Sequence, residues 1–140
     1  MTADQPGDEW ELFLGRHTRP EGEPTATIQA KGNLSLNAPA WRAIGQPTAV
    51  ELLWNRSKQL VGIRPTAPGL EHAYKLRQRE RATTTNHVVS FIAFANRYGI
   101  PIKTAPSRRF VVDVRDGMLI LDLKKKPVEI KRSTYKKPRE

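Results

Sequence analysis

Residues 27–65 read TIQAKGNLSLNAPAWRAIGQPTAVELLWNRSKQLVGIRP. Leu34 and Leu36 alternate here with Asn33, Ser35 and Asn37. Successive strand side chains point to opposite faces, so the alternation predicts a half-buried strand over 33–36. Lys31-Gly32 ahead of it predicts a turn, and residues 25–30 the strand that enters that turn. Asn37 is a good helix N-cap, Pro39 is tolerated only near a helix start, and Gly45 stops a short helix over 40–44. Apolar runs at 50–54 and 60–63 predict two more strands, joined by a polar hairpin loop at 55–59. Pro65 and Pro68-Gly69 end the unit.

Downstream, residues 70–82 predict a polar, basic helix. Its apolar positions are sparse (Leu70, Ala73, Tyr74, Leu76), so it belongs on the surface or in a linker. Residues 83–86, all Thr or Asn, offer caps for a second helix over 87–98, with Val88, Phe91, Ile92, Ala95 and Tyr98 near one face. Gly99 and Pro101 stop that helix. Residues 110–114 and 118–123 carry the strongest strand signals, and Asp116-Gly117 between them is a hairpin turn. The chain thus places a short helix, a Gly and a strand hairpin in that order twice, at 40–64 and at 88–123. The expected organisation is an acidic leader (1–24), partly disordered, a β-rich unit (25–68), a helical segment with a helix and β-hairpin packed on it (69–126), and a disordered basic tail (127–140).

Charge points to the partner. The 140 residues hold 24 Lys+Arg against 14 Asp+Glu, a net +10. Six acids (Asp4, Asp8, Glu9, Glu11, Glu21, Glu23) and two bases (Arg16, Arg19) give residues 1–24 a net −4, which leaves +14 on the rest. Such a body favours polyanions, nucleic acid before membrane. The acidic leader is either a solvated tail or an intramolecular competitor for the basic surface. Trp10, Leu12, Phe13 and Leu14 interrupt its acids and are suited to packing on the domain or on a partner.

Catalytic chemistry has little support. Absence of cysteine removes disulfides and thiolate metal sites, and the three histidines (17, 72, 87) lack metal-ligand spacing. No phosphate-binding glycine loop or nucleophile elbow is present. Asp113, Asp116 and Asp122 could in principle hold Mg²⁺, but the hairpin turn and solvent-facing strand positions account for them. The reading is therefore no enzyme, no cofactor and no metal. The first residues lack a secretory pattern, and the longest apolar stretch, near 88–95, is too short to span a bilayer. The expected location is cytoplasmic, with no membrane partner.

The string from Lys31-Gly32 through Leu34, Leu36, Ile44-Gly45 and Val50 to Leu52, ending at Ile63-Arg64-Pro65, resembles the AbrB-like swapped-hairpin domain of transition-state regulators and antitoxins. It also looks like small bacterial mobile-element proteins. The resemblance covers residues 27–65 and implies an α+β fold with a small β-rich swapped-hairpin-like unit. It further implies a homodimer of interleaved hairpins, since four strands from one short segment cannot close a core alone. DNA would then meet basic residues near the first turn and helix. Asn33 stands where that family has a base, and Trp41 where it has an Arg, with Arg42 next. Only Lys31 carries over directly.

The expected nucleic-acid contacts are Lys31, Arg42, Lys75, Arg77, Arg79, Arg81, Arg108, Arg109, Lys124, Lys125 and Lys126. Arg77, Arg79 and Arg81 spread around a helix, but share one side if extended. Trp41 and Trp54 fit packing better than base stacking. The leading function is a DNA-binding, transcription-regulatory dimer on duplex DNA. A protein that binds an acidic partner protein as adaptor or inhibitor, and an RNA- or ribosome-associated protein, are the alternatives.

Overall fold

Asn37 organises the first turn of the fold. Its Oδ1 accepts from Ala40 N at 2.9 Å, capping helix α1 (Ala38–Ala43), and from Thr25 N at 3.0 Å. Its Nδ2 donates to Glu23 O, so one side chain ties the chain start to the helix start. The computed structural model describes residues 22–81 and 84–130. It is a strand-rich, mixed α/β protein with two antiparallel sheets and few helices.

The strands are β1 (Thr25–Ile28), β2 (Asn33–Leu36), β3 (Ala49–Asn55), β4 (Leu60–Pro65), β5 (Tyr74–Lys75), β6 (Arg77–Arg81), β7 (Thr84–Ser90), β8 (Ser107–Val111), β9 (Asp113–Arg115), β10 (Met118–Asp122) and β11 (Val128–Ile130). A second helix, α2 (Ile92–Tyr98), follows β7. One sheet runs β11-β8-β1-β2-β7-β6, the other β5-β3-β4-β10-β9. Strands from residues 25–68 and from residues 69–126 occur in both sheets.

The order contains a repetition. The hairpins β1–β2 and β6–β7 lie side by side in the first sheet, joined through β2 and β7. The hairpins β3–β4 and β9–β10 lie side by side in the second, joined through β4 and β10. Each half therefore runs hairpin, helix, hairpin, and the halves meet antiparallel in both sheets. Two near-continuous strands link the sheets. β8 passes into β9 at Val112, whose N–H donates to Pro24 O, and β5 into β6 at Leu76, whose N–H donates to Thr48 O. The core that these layers enclose includes Ile28, Leu34, Leu36, Val50, Val61, Ile63, Phe91, Leu119 and Leu121. Burying each large side chain contributes about 1.5–3 kcal/mol.

Two sequence expectations are corrected. Residues 70–82 are not a helix: 74–75 and 77–81 are strands β5 and β6. Their sparse apolar positions cannot anchor a helix, whereas five residues of β6 pair in register with β7. The second helix does not begin at 87. Residues 84–90 form β7, in which the Thr and Val residues suit extended backbone. Residues 128–130 of the expected basic tail form β11 on β8; 131–140 lie outside the described residues, as does the leader before Gly22.

The expected first turn, helix cap, β3–β4 hairpin and Asp116-Gly117 turn are all present. Asp116 and Gly117 take φ of 51° and 76°, as a two-residue hairpin turn requires. Trp54 stacks on Tyr98 at 5.2 Å and meets Phe94 edge-on at 6.1 Å, so it packs α2 onto β3. Among the described residues, no helix is long and apolar enough to cross a membrane.

Candidate nucleic-acid interface

On β1 the inward residues Ala26 and Ile28 are fully buried, so Thr25 and Thr27 face outward. Residues paired across a ladder share a face. Arg109 pairs with Thr27, Thr27 with Ser35, Ser35 with Val88, and Val88 with Arg77. One straight row thus crosses five strands on the outer face, with an arginine at each end. Arg79 pairs with Asn86 on the same face. Arg77 leans inward from its flank, with Nη2 3.4 Å from Asn33 Oδ1.

Between the flanks lies a trough of about 520 Å³. Its floor is polar and uncharged: Thr25, Thr27, Gln29, Ser35, Asn37 and Asn86. Ser35 and Val88, the short middle of the row, are only 6% and 2% exposed. Among the described residues, the buried Gln29 Oε1 acceptor has no hydrogen-bond partner, an arrangement that costs roughly 1–3 kcal/mol unless a donor is supplied. Gly22, Glu23 and Ile130 form part of the rim, so both ends of the described chain reach this trough.

The other expected contacts are dispersed. Lys31 is exposed at the β1–β2 turn, beside α2, while Arg42 is exposed on α1 at the opposite end of β2. Lys75 is exposed on β5, in the other sheet. Arg81 ends β6, paired with Thr84. Arg108 points the opposite way from Arg109, pairing with buried Ile28. Its guanidinium donates to Pro101 O, and its buried Nε has no partner among the described residues. Burial pushes its pKa down, against the raising effect of Glu129. Lys124 and Lys125 sit at the end of the second sheet, at 3.0 Å from Asp122 and 3.7 Å from Asp113. Lys126 is exposed in the turn before β11.

No protein-family model, curated protein or solved structure matches this chain. The geometry therefore carries the functional argument alone.

Of the eleven expected cations, Arg77, Arg79 and Arg109 are the ones seen to share the trough face. The floor residues Thr25, Thr27, Gln29, Ser35 and Asn86 were missed. The signal for Thr25, Thr27 and Gln29 was present in the period-two alternation of residues 25–29, where every second residue is polar, and that for Ser35 in the alternation of 33–36. Asn86 was hidden by its reading as a helix cap.

Trp41 belongs to structure. It stacks on His87 and donates from Nε1 to Pro47 O at 2.9 Å. Burial, and secondarily the charge of Arg42, pushes the His87 pKa down. A third cluster lies on the second sheet, where Glu51 accepts from Arg64 and meets His72 at 2.8 Å. The Arg64 hydrogen bond is the main cause that lowers the Glu51 pKa. Among the described residues, no group of three His, Cys, Asp or Glu could hold a metal ion.

Proposed function

We propose that this protein binds nucleic acid, duplex DNA first, across the outer face of the six-stranded sheet, and serves as a small regulatory DNA-binding protein. The observation that carries the reading is the row from Arg109 through Thr27, Ser35 and Val88 to Arg77. Its ends stand four strand spacings apart, roughly 19 Å. That span reaches backbone on both sides of a major groove about 12 Å wide. Arginines at the flanks suit phosphates, while Thr, Ser, Asn and Gln on the floor suit phosphate and sugar oxygens between them.

The AbrB-like resemblance enters the same proposal in a changed form. Two β-β-α-β-β halves meet in both sheets of a single chain. This supports a swapped-hairpin arrangement formed between the halves, so the second copy expected from a dimer is supplied by residues 74–122. One chain is then the binding unit.

Fluorescence anisotropy with labelled duplex DNA, single-stranded DNA and structured RNA at about 50 mM salt tests the reading. Duplex binding that weakens steeply as salt rises is expected. Failure to bind any of the three at low salt overturns it, and a clear preference for RNA transfers the face to an RNA ligand.

A further inference from the structure

We infer that the trough receives one unpaired base, and that Gln29 holds it by accepting a hydrogen bond from an N–H of the base edge. The inference rests on the nucleic-acid reading, which gives the face its ligand, and adds what the trough itself takes. Gln29 follows Thr25 and Thr27 as an outward residue of β1. It stands in a second row beside the one that carries the arginines. The register that pairs Ile28 with Arg108 sets Gln29 beside Ser107, whose Oγ accepts from Ala30 N. On its other side the Gln29 N–H donates to Asn33 O, and Asn33 pairs with Ser90. Ser107, Gln29, Asn33 and Ser90 are polar and uncharged. Arg109 is opposite Thr27, so Gln29 is its diagonal neighbour, about 7–8 Å away.

Hydrogen-bond chemistry gives the second argument. Gln29 is half-buried and lines the trough, while its Oε1 has no partner among the described residues. The terminal amide of Gln turns over a broad, two-fold torsion, and that turn presents Oε1 to the trough. An acceptor there needs a donor. The DNA backbone offers none, because its phosphate and deoxyribose oxygens within a strand are all acceptors. Every base carries N–H donors on its pairing edge, such as adenine N6 and cytosine N4. The Gln29 Nε2 group then remains to donate to a ring nitrogen or carbonyl of the same edge.

Shape separates an unpaired base from a paired one. The trough floor lies behind arginine flanks that would rest on phosphates, and the base edges of an intact major groove lie about 8.5 Å below its rim. A paired base is therefore held away from Gln29. A base turned out of the stack brings its freed pairing edge down to the floor, as bases do when they are read on their pairing edges. The trough volume of about 520 Å³ falls in the range of small-ligand sites and suits one nucleotide rather than a helix. Arg109, diagonal to Gln29, is placed to meet the phosphate of that nucleotide.

The test uses the full chain, native and Gln29→Leu, with three labelled DNA duplexes at about 50 mM salt. One is fully paired, one carries a single unpaired adenine at its centre, and one carries an abasic unit in place of that adenine. DNA has no 2′-hydroxyl within the strand, so the donor in this test is the base. The native protein is expected to bind the duplex with the unpaired adenine at least about fivefold more tightly than the other two. Gln29→Leu is expected to bind all three alike, with the native affinity for the paired duplex. Its melting temperature without DNA should rise by about 2–5 °C, because an unsatisfied acceptor is replaced by an apolar group of similar size. A fall in melting temperature means that the carbonyl is satisfied in the free protein and overturns the premise. Equal native affinity for the paired duplex and the unpaired adenine overturns the inference and leaves the proposed function standing. Equal affinity for the adenine and abasic duplexes overturns it too, since flexibility of the backbone is then what is read. An adenine advantage kept in Gln29→Leu removes Gln29 as the acceptor. Failure of all three duplexes to bind overturns the proposed function and the inference together.

Discussion

Trp41 lies flat on His87, with ring centroids 3.8 Å apart and 15° between the planes. The pair joins the two halves of the chain, since Trp41 stands on α1 and His87 on β7. Such a stacked pair contributes about 0.5–1.5 kcal/mol beyond its buried area. Trp41 is only half-buried, so Trp41→Ala is expected to cost about 2 kcal/mol, less than the ~3–5 of a fully buried aromatic. Urea unfolding followed by circular dichroism measures this; a loss below about 0.5 kcal/mol would mean that the pair does not hold the halves together.

The same contact sets a pH dependence. His87 is 5% exposed, and its burial lowers its pKa in the folded state. The unfolded imidazole titrates near 6.5. Below that pH the unfolded chain takes up a proton that the folded chain resists, so stability is full above about pH 6.5 and falls as pH drops toward the folded pKa. Melting temperatures between pH 7.5 and 5.5 should therefore decline in the native protein. His87→Gln should flatten the profile, and an unchanged slope in that variant would contradict the assignment.

Gly32 marks a second junction between the halves. It has φ +103°, and a Cβ there would stand 2.4 Å from Ile92 Cγ1, at the start of α2. Gly32→Ala is expected to cost roughly 2–3 kcal/mol, from backbone strain and overpacking together. Gly45 has φ +88° but open space around its Cβ position, so Gly45→Ala should cost only about 1 kcal/mol. Thermal unfolding of the two variants side by side reads the contrast; equal losses would remove the Gly32–Ile92 contact from the account.

Pairing of the two halves with each other in both sheets predicts a monomer. The β1–β4 hairpins find β7, β8 and β10 as neighbours, so no second copy is needed to cover them. Sedimentation equilibrium at micromolar concentration should return the mass of one chain, free and on duplex DNA. A stable dimer of the free protein would contradict the reading of the halves as each other's partner.

Much of this fold was legible, and the misreading was local. Asn37, Lys31-Gly32 and Asp116-Gly117 have strong positional chemistry, and each stands where that chemistry predicts. Leu34 and Leu36 carry a strand pattern that burial confirms. The segment 74–81 was misread because Arg77, Gln78, Arg79, Glu80 and Arg81 have no apolar face of either period. Its conformation comes from pairing with β7, a tertiary fact outside the segment. That error also concealed the face, since Arg77 and Arg79 share one side only when the segment is extended. The repetition was visible as helix, Gly and hairpin, but the hairpin ahead of α2 was hidden inside the misplaced helix. Arg108 and Arg109 were alike in sequence; strand alternation alone separates the one beside Pro101 from the one on the trough.

The trough face, rather than basic charge in general, is predicted to hold the nucleic acid. The direct measurement is the salt dependence of duplex affinity for the native protein, for Arg77→Ala with Arg79→Ala, and for Lys124→Ala with Lys125→Ala. Each lost phosphate contact should lower the slope of log affinity against log salt by about 0.9. The arginine variant is predicted to lose about 2 from that slope and to bind more weakly across all sequences, while the lysine variant, whose charges lie against Asp122 and Asp113, keeps both slope and affinity. An unchanged slope in the arginine variant, or an equal loss in the lysine variant, would contradict the account.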